Sequence, residues 1–345
     1  QDKIKDIIKA QKNDDVLNNL KKIVINIGKK GQGGKYKDGI NTCPTRGGDT
    51  VISFKLDGTR KYSWYTGVNL REIKITAYGG NINNKSNMEI SKTNNLLVKY
   101  SENNKGSLHK FYKKNNICAG SGGGTINQIK DEFKFTPNNL IEQKGNKFDK
   151  KELLSIDGKK YYLYQTNDSK KSYNITSNED EIVSYPSGGV GGSLKTLNGV
   201  SSKSFGCGGG SGAKKIFESN KENSFGNGGD GKEGAVIIMN DKGIILFNST
   251  LCDRTVISKQ IHIKIMTSSG RPDNFKPECP VNNTVSIKLY NNEYFYIISI
   301  GGGGGGEISG YGGNAGNIVI SKHCNFNIDK SILTDPLQTT YKEQL

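Results

Sequence analysis

Residues 301–320 read GGGGGGEISGYGGNAGNIVI. Six consecutive glycines follow the apolar run 294–300, YFYIISI, and ten of the sixteen residues in 301–316 are glycine. The chain then returns to Ile318, Val319 and Ile320. A flexible linker is rich in Gly and Ser, whereas this stretch holds a single serine and has strand formers on both sides. Ordering each glycine costs roughly 1–2 kcal/mol of backbone entropy. The pattern therefore predicts glycines held where no Cβ fits. A polyglycine run in the polyproline II conformation has three residues per turn and no internal hydrogen bonds. Its N–H and C=O groups must pair with neighbouring runs, so Gly301, Gly302, Gly303, Gly304, Gly305 and Gly306 are read as one member of a packed set.

The chain contains further members. Residues 188–192 read GGVGG, 206–212 GCGGGSG (with Gly208, Gly209 and Gly210 at the centre) and 226–234 GNGGDGKEG. These three are expected beside 301–306. Residues 28–34, GKKGQGG, and 120–124, GSGGG, are shorter relatives. The flanks repeat as well. Gly228, Gly229 and Asp230 followed by 234–238, GAVII, match Gly312, Gly313 and Asn314 followed by 316–320, GNIVI.

The rest of the pattern is β. Glycine makes up 45 of 345 residues, about 13% against a usual ~7%, while only 33% of residues are hydrophobic. Short β-branched and aromatic runs dominate over helical periodicity. Strands are expected at 23–27, 50–55, 72–78, 96–100, 235–239, 244–247 and 260–266. A hairpin is expected about Asp157 and Gly158, and a second over 284–300 with its turn at 291–293. Residues 1–22 are the one helix candidate, with Ile4, Ile7 and Ile8 on one face. The expected organisation is an N-terminal helix (1–22), a β-rich region with the first glycine motifs (23–118), a polar insertion (119–187), a glycine-rich β domain (188–320) and a C-terminal tail (321–345). The fold class is mainly β: an N-terminal α-helix, then a β-rich body with packed glycine-rich, polyproline-II-like runs.

A formal charge of +16 draws polyanions such as nucleic acid, acidic glycan or an anionic surface. Scattered lysines also protect strand edges and keep such a surface in solution. No basic block of five appears. Six cysteines, Cys43, Cys118, Cys207, Cys252, Cys279 and Cys324, form no CxxC, which removes the common zinc and redox spacings. They suit up to three disulfides in an oxidising compartment, or free thiols in a reducing one. Cys252 and Cys279 flank one strand–turn–strand stretch and make the best pair. Cys118 and Cys207 lie at edges of glycine runs, where a bridge would staple runs together. Spacing alone does not set the connectivity. No run of about 18 apolar residues is present, so nothing in these 345 residues reads as a membrane-spanning helix. The first residue is Gln1 rather than Met, which reads as removal of something upstream.

Catalytic signatures are sparse. The three histidines, His109, His262 and His323, are far apart, and no HExxH or supported GxSxG occurs. Gly301, Gly303 and Gly306 satisfy GxGxxG trivially, but no helix follows to receive a pyrophosphate. The sequence assigns no catalytic, cofactor-binding or metal-ligating residue. The aromatic cluster Tyr62, Trp64 and Tyr65 reads either as core or as a platform for stacking a sugar ring. Glu179, Asp180 and Glu181 read as a solvated loop.

Two resemblances bear on function. The units 25–28 (INIG) with Gly31, Gly33 and Gly34, 47–50 (GGDT), 75–80 (ITAYGG), 234–238 and 316–320 resemble the glycine-rich domains of bacterial and phage surface proteins. Related domains in phage tail-tip adhesins and in a family of animal receptor kinases bundle their glycine runs as polyproline II helices. This resemblance covers about half the chain and leaves 81–187 unexplained. It implies an extracellular binding or structural module rather than an enzyme. Residues 1–22 resemble the soluble half of the N-terminal helix of type IV pilin-like proteins, which implies an apolar half upstream.

Together these expectations describe a secreted or surface-displayed structural or adhesive protein, a pilus- or fibre-like subunit. It would self-associate or join sister fibre subunits, bind a surface glycan or another polyanion, and use no cofactor. The alternatives are a basic polyanion- or nucleic-acid-binding protein and a carbohydrate-active protein on a β scaffold.

Overall fold

A computed structural model describes residues 20–56, 72–82, 90–93, 118, 120, 123–129, 132–137, 152–217, 223–253, 260–267, 276–289 and 294–324. The described chain is mainly β. Its strands are β1 Leu20–Asn26, β2 Lys35–Lys37, β3 Ile40–Thr42, β4 Thr50–Leu56, β5 Glu72–Ala77 and β6 Ile90–Thr93. Then come β7 Gly124–Ile129, β8 Glu132–Pro137, β9 Glu152–Ile156, β10 Lys159–Gln165, β11 Tyr173–Thr176, β12 Lys214–Ile216 and β13 Ser224–Phe225. The last are β14 Ala235–Asn240, β15 Ile245–Asn248, β16 Ile261–Thr267, β17 Thr284–Leu289, β18 Tyr294–Ile300 and β19 Ile318–Cys324.

Alternation of side chains places three sheets in layers. The central sheet has the order β15-β14-β18-β19-β6. On its strands Ala235, Ile237, Met239, Tyr296, Ile298, Ile300, Ile318 and Ile320 enter one core with Leu153, Leu163 and Tyr173 of the sheet β11-β10-β9. Val236, Ile238, Phe295, Ile297 and Val319 enter a second core with Ile23, Ile25, Ile52, Ile75, Ile261 and Ile287 of the sheet β17-β16-β1-β4-β5. A sheet buried on both faces needs near-continuous apolar strands, and AVIIMN and YFYIISI supply them.

Two expectations are corrected here. Residues 284–300 do not form a hairpin. β17 runs parallel to β16 in an outer sheet, whereas β18 lies between β14 and β19 in the central one. The reason is burial. Val285 and Ile287 alternate with exposed Thr284, Ser286 and Lys288, which suits a sheet with one wet face. From Phe295 to Ile300, β18 is buried at every position and fits only a layer covered on both sides. Among the described residues no N-terminal helix is seen: Leu20, Lys21 and Lys22, the last residues of the expected helix, open β1. Leu20 pairs with Leu56 and Lys22 with Lys55 of β4, so the sheet ladder takes backbone groups that a helix would have kept. Residues 1–19 and 96–100 lie outside the described residues.

The glycine runs continue from these strands and form a bundle. The N–H groups of Gly301 and Gly304 donate to Asn317 and Asn314, those of Gly302 and Gly305 to Gly48 and Thr45, and those of Gly303 and Gly306 to Lys232 and Gly229. Each third residue meets the same neighbour, which is the three-residue repeat of polyproline II. The carbonyls of 303 and 306 accept from Gly31 and Gly34, that of 302 from Gly80 and that of 304 from Gly209. Run 301–306 therefore sits inside six others, 28–34, 45–48, 78–81, 206–213, 226–234 and 313–317, which also pair with one another around it.

Run 206–213 is a second centre. It bonds to 301–307, 313–316, 226–232, 197–200, 189–192 and Cys118. The bundle is thus two adjacent points of a hexagonal lattice with their shared surround. Run 188–192 bonds to the second centre, through Gly189 to Gly208 and Gly192 to Ser211. It was expected beside 301–306, but a lattice point has six places, and runs 28–34, 45–48 and 78–81 take three of them.

The close packing excludes side chains. A Cβ on Gly303 would come closer than 3 Å to the Cys207 carbonyl, and one on Gly209 would meet the Gly229 carbonyl in the same way. Cys118 and Cys207, both fully buried, are disulfide-bonded with Cα atoms 5.0 Å apart. This bond ties the second centre to a segment 89 residues upstream. Cys252 and Cys279 are also bonded, with Cα atoms 5.3 Å apart.

Candidate functional site

The bundle has two ends. At one, β1, β4, β5, β14, β18 and β19 join the runs to the layered sheets. At the other, the connections between runs come together. Gly34 leads into β2 and Gly212 lies just before β12, while β13 leads into Gly226, Gly306 into the turn at 307–311 and Gly192 into the turn at 193–196. This distal end is the candidate site, because a packed bundle fixes the bases of loops from five parts of the chain.

Each loop is closed by local chemistry. β2 and β3 pair through Lys35 and Thr42, Tyr36 and Asn41, and Lys37 and Ile40. Their two-residue turn is Asp38-Gly39, with φ of 52° and 78°, the left-handed conformations that a type I′ turn needs. Ser193 N–H donates to the Thr196 carbonyl at 2.7 Å and Glu307 N–H to that of Tyr311 at 2.9 Å. Glu307 Oε2 also accepts from Tyr311 N–H at 3.2 Å. The Tyr36 N–H donates to Asn227 Oδ1 at 2.8 Å, anchoring the hairpin on the bundle.

The surface so built is apolar and cationic. Ile40 is 68% exposed, Leu194 50% and Phe133 40%. The Tyr36 and Phe225 rings stand 5.1 Å apart, and Lys214 Nζ lies 5.6 Å from the Phe225 centroid. In the sheet β13-β12-β7-β8, Lys215 Nζ lies 3.8 Å from the Phe133 ring and 5.0 Å from that of Phe217, whose rings meet edge to face at 6.1 Å. Lys35, Lys37, Lys134 and Lys195 are exposed around these groups, against exposed Asp38 and Glu132. An open cleft of about 260 Å3 runs between the hairpin and the 307–311 turn, lined by Cys43, Pro44, Phe225, Glu307 and Ile308 among others.

Behind the tip, Asp230 locks two runs together. Its Oδ2 accepts from Lys30 Nζ at 2.6 Å and its Oδ1 from Gly33 N–H at 2.9 Å. Burial pushes its carboxyl up, but the Lys30 and Gly33 hydrogen bonds and the Lys30 and Lys35 charges outweigh burial and hold it below the usual value.

The residues singled out from sequence are dispersed. Gly301, Gly302, Gly303, Gly304, Gly305 and Gly306 fill the first centre of the bundle, and Gly208, Gly209 and Gly210 the second. Cys43 carries an exposed free thiol on the cleft. Cys324 ends β19, with its side chain outside the described residues. Tyr62, Trp64 and Tyr65 lie outside the described residues too. Glu179, Asp180 and Glu181 form an exposed 3-10 turn capped by the Asn178 side chain. Sequence reading did not bring together Tyr36, Ile40, Phe133, Leu194, Lys215 and Phe225. Asp38-Gly39 between two short polar strands was the signal for the hairpin, and nothing local marks the others as neighbours. Among the described residues no three His, Cys, Asp or Glu side chains group as metal ligands, and no helix is long and apolar enough to cross a membrane. No family model, curated protein or solved structure matches the chain.

Proposed function

We propose that this chain is an extracellular or surface-displayed, non-enzymatic structural and adhesive protein, a fibre- or pilus-like subunit that contacts its target through the distal tip. The observation that carries this reading is the way the glycine bundle is built. Two enclosed glycine runs and their surround make a stiff post, and exposed Ile40, Leu194 and Phe133, with half-buried Lys215 over the Phe133 ring, stand at the end opposite the layered sheets. Two disulfides at 118–207 and 252–279 accord with an oxidising compartment. Exposed Phe133 and half-buried Tyr36, Phe217 and Phe225 beside lysines suit a ligand with flat apolar faces and negative charge, such as an acidic surface glycan.

The test is binding of the full chain to arrays of neutral and acidic glycans and to duplex DNA across a salt series. Acidic glycans are expected to bind, and Phe133→Ala with Lys215→Ala to weaken them about tenfold while the melting temperature holds. Tight DNA binding that falls steeply with salt, with no glycan bound, would replace this reading by the polyanion alternative, which the cationic tip favours over a carbohydrate-active enzyme.

A further inference from the structure

Most of the bundle's perimeter is polar. Lys29, Lys30, Gln32, Thr45 and Arg46 face solvent on one side. The side formed by 187–192 and 197–202 differs. These two runs lie together, with Val200 N–H donating to the Val190 carbonyl at 2.8 Å. Val183 is 58% exposed, Val190 44%, Leu194 50% and Val200 47%. In a chain that is 24% charged, residues 182–202 hold one charged side chain, Lys195. Exposed apolar side chains with depleted charge are the composition of an interface centre.

The ends of this edge carry opposite charge. Exposed Glu179, Asp180 and Glu181 precede it at the end nearest the layered sheets, where their three carboxylates outnumber exposed Lys203 at the close of the returning run, and exposed Lys195 turns the chain at the distal end. A polyproline II run of about six residues, rising about 3.1 Å each, gives the edge a length of roughly 20 Å. We propose that this edge is a homodimer interface, in which two copies meet through a two-fold axis with their bundles antiparallel. That arrangement is self-complementary. Val190 and Val200 of the two copies form the centre, and Lys195 of each meets the 179–181 turn of the other. It also brings two chains of charge +16 together on the side that sets no lysine cluster against another. The inference names the contact by which the proposed surface subunit self-associates, and rests on that reading only for the occurrence of self-association.

Sedimentation of the full chain tests it, in a Cys43→Ser background so that no intermolecular bond through that thiol is counted. A concentration-dependent dimer is expected. Val190→Lys with Val200→Lys should weaken it at least about tenfold, since charge at an interface centre is costly. Lys195→Asp should weaken it several-fold, and adding Asp180→Lys to Lys195→Asp should restore it. This swap alters only exposed groups and decides the matter even if the valine variant fails to fold. A chain that stays monomeric, a dimer indifferent to the valine changes, or a charge swap that does not restore association overturns the inference. A monomer that still binds its glycan through the tip would do so while leaving the proposed function standing.

Discussion

Gly303 and Gly39 show two reasons for being glycine. Gly39 has a φ of 78° and open space where a Cβ would go. Gly303 has its Cβ position filled by the backbone at Cys207 and Gly208. An alanine at Gly39 meets only left-handed strain, about 1 kcal/mol. An alanine at Gly303 must push two runs apart and break hydrogen bonds on both sides, a cost of about 3 kcal/mol or more. Thermal unfolding should therefore separate them, with Gly303→Ala melting well below Gly39→Ala. Equal melting temperatures would mean that the central run is not tightly held.

At the scale of elements, most glycine runs are extensions of a strand, 188–192 and 197–202 being exceptions. β18 passes into 301–306, 226–234 passes into β14, and 313–317 passes into β19. The sheet ladder sets the direction of each run, and the three-residue repeat carries pairing onward with new partners. The Cys118–Cys207 bond reinforces this where the described upstream segment is slight, because Cys118, Gly120 and Gly123 pair with Gly208, Gly313 and Gly310. It closes a loop of 89 residues, against 27 for Cys252–Cys279. Cross-linking entropy grows with the logarithm of loop length. Replacing Cys118 and Cys207 by alanine should cost roughly 4 kcal/mol in denaturant unfolding, more than the same change at Cys252 and Cys279. The reverse order would show that the bundle keeps the segment in place unaided.

Across the whole molecule, enclosure predicts dynamics. The N–H groups of Gly303, Gly306 and Gly209 are bonded within the bundle, whereas those of Gly199 and Val200 lie on its perimeter. Hydrogen exchange of the enclosed amides should require global unfolding, while perimeter amides exchange through local opening. Similar rates at 303 and 200 would deny the bundle its two centres. Enclosure also holds the tip and the 187–202 edge on one stiff post, with exposed Leu194 and Lys195 at the corner the two share.

Much of this was readable from local pattern. β-branched and apolar runs marked β1, β4, β14 and β18 to within a residue or two at most ends, and Asp157-Gly158 marked the β9–β10 turn. Six glycines between strand formers implied packed runs, because nothing else repays the entropy of ordering them. Which run meets which was not readable. Glycine has no side chain to encode a partner, so 28–34, 45–48 and 78–81 took places around 301–306 that no residue announces, and 188–192 went to the second centre. The separation of β17 from β18 and the gathering of Tyr36, Phe133, Leu194 and Phe225 at one end arose in the same way. The sequence by itself determined that there would be strands, tight turns and glycine runs in want of partners. The tertiary structure decided their neighbours, because burial on two faces and a six-place lattice are properties of the assembled chain and of no segment alone.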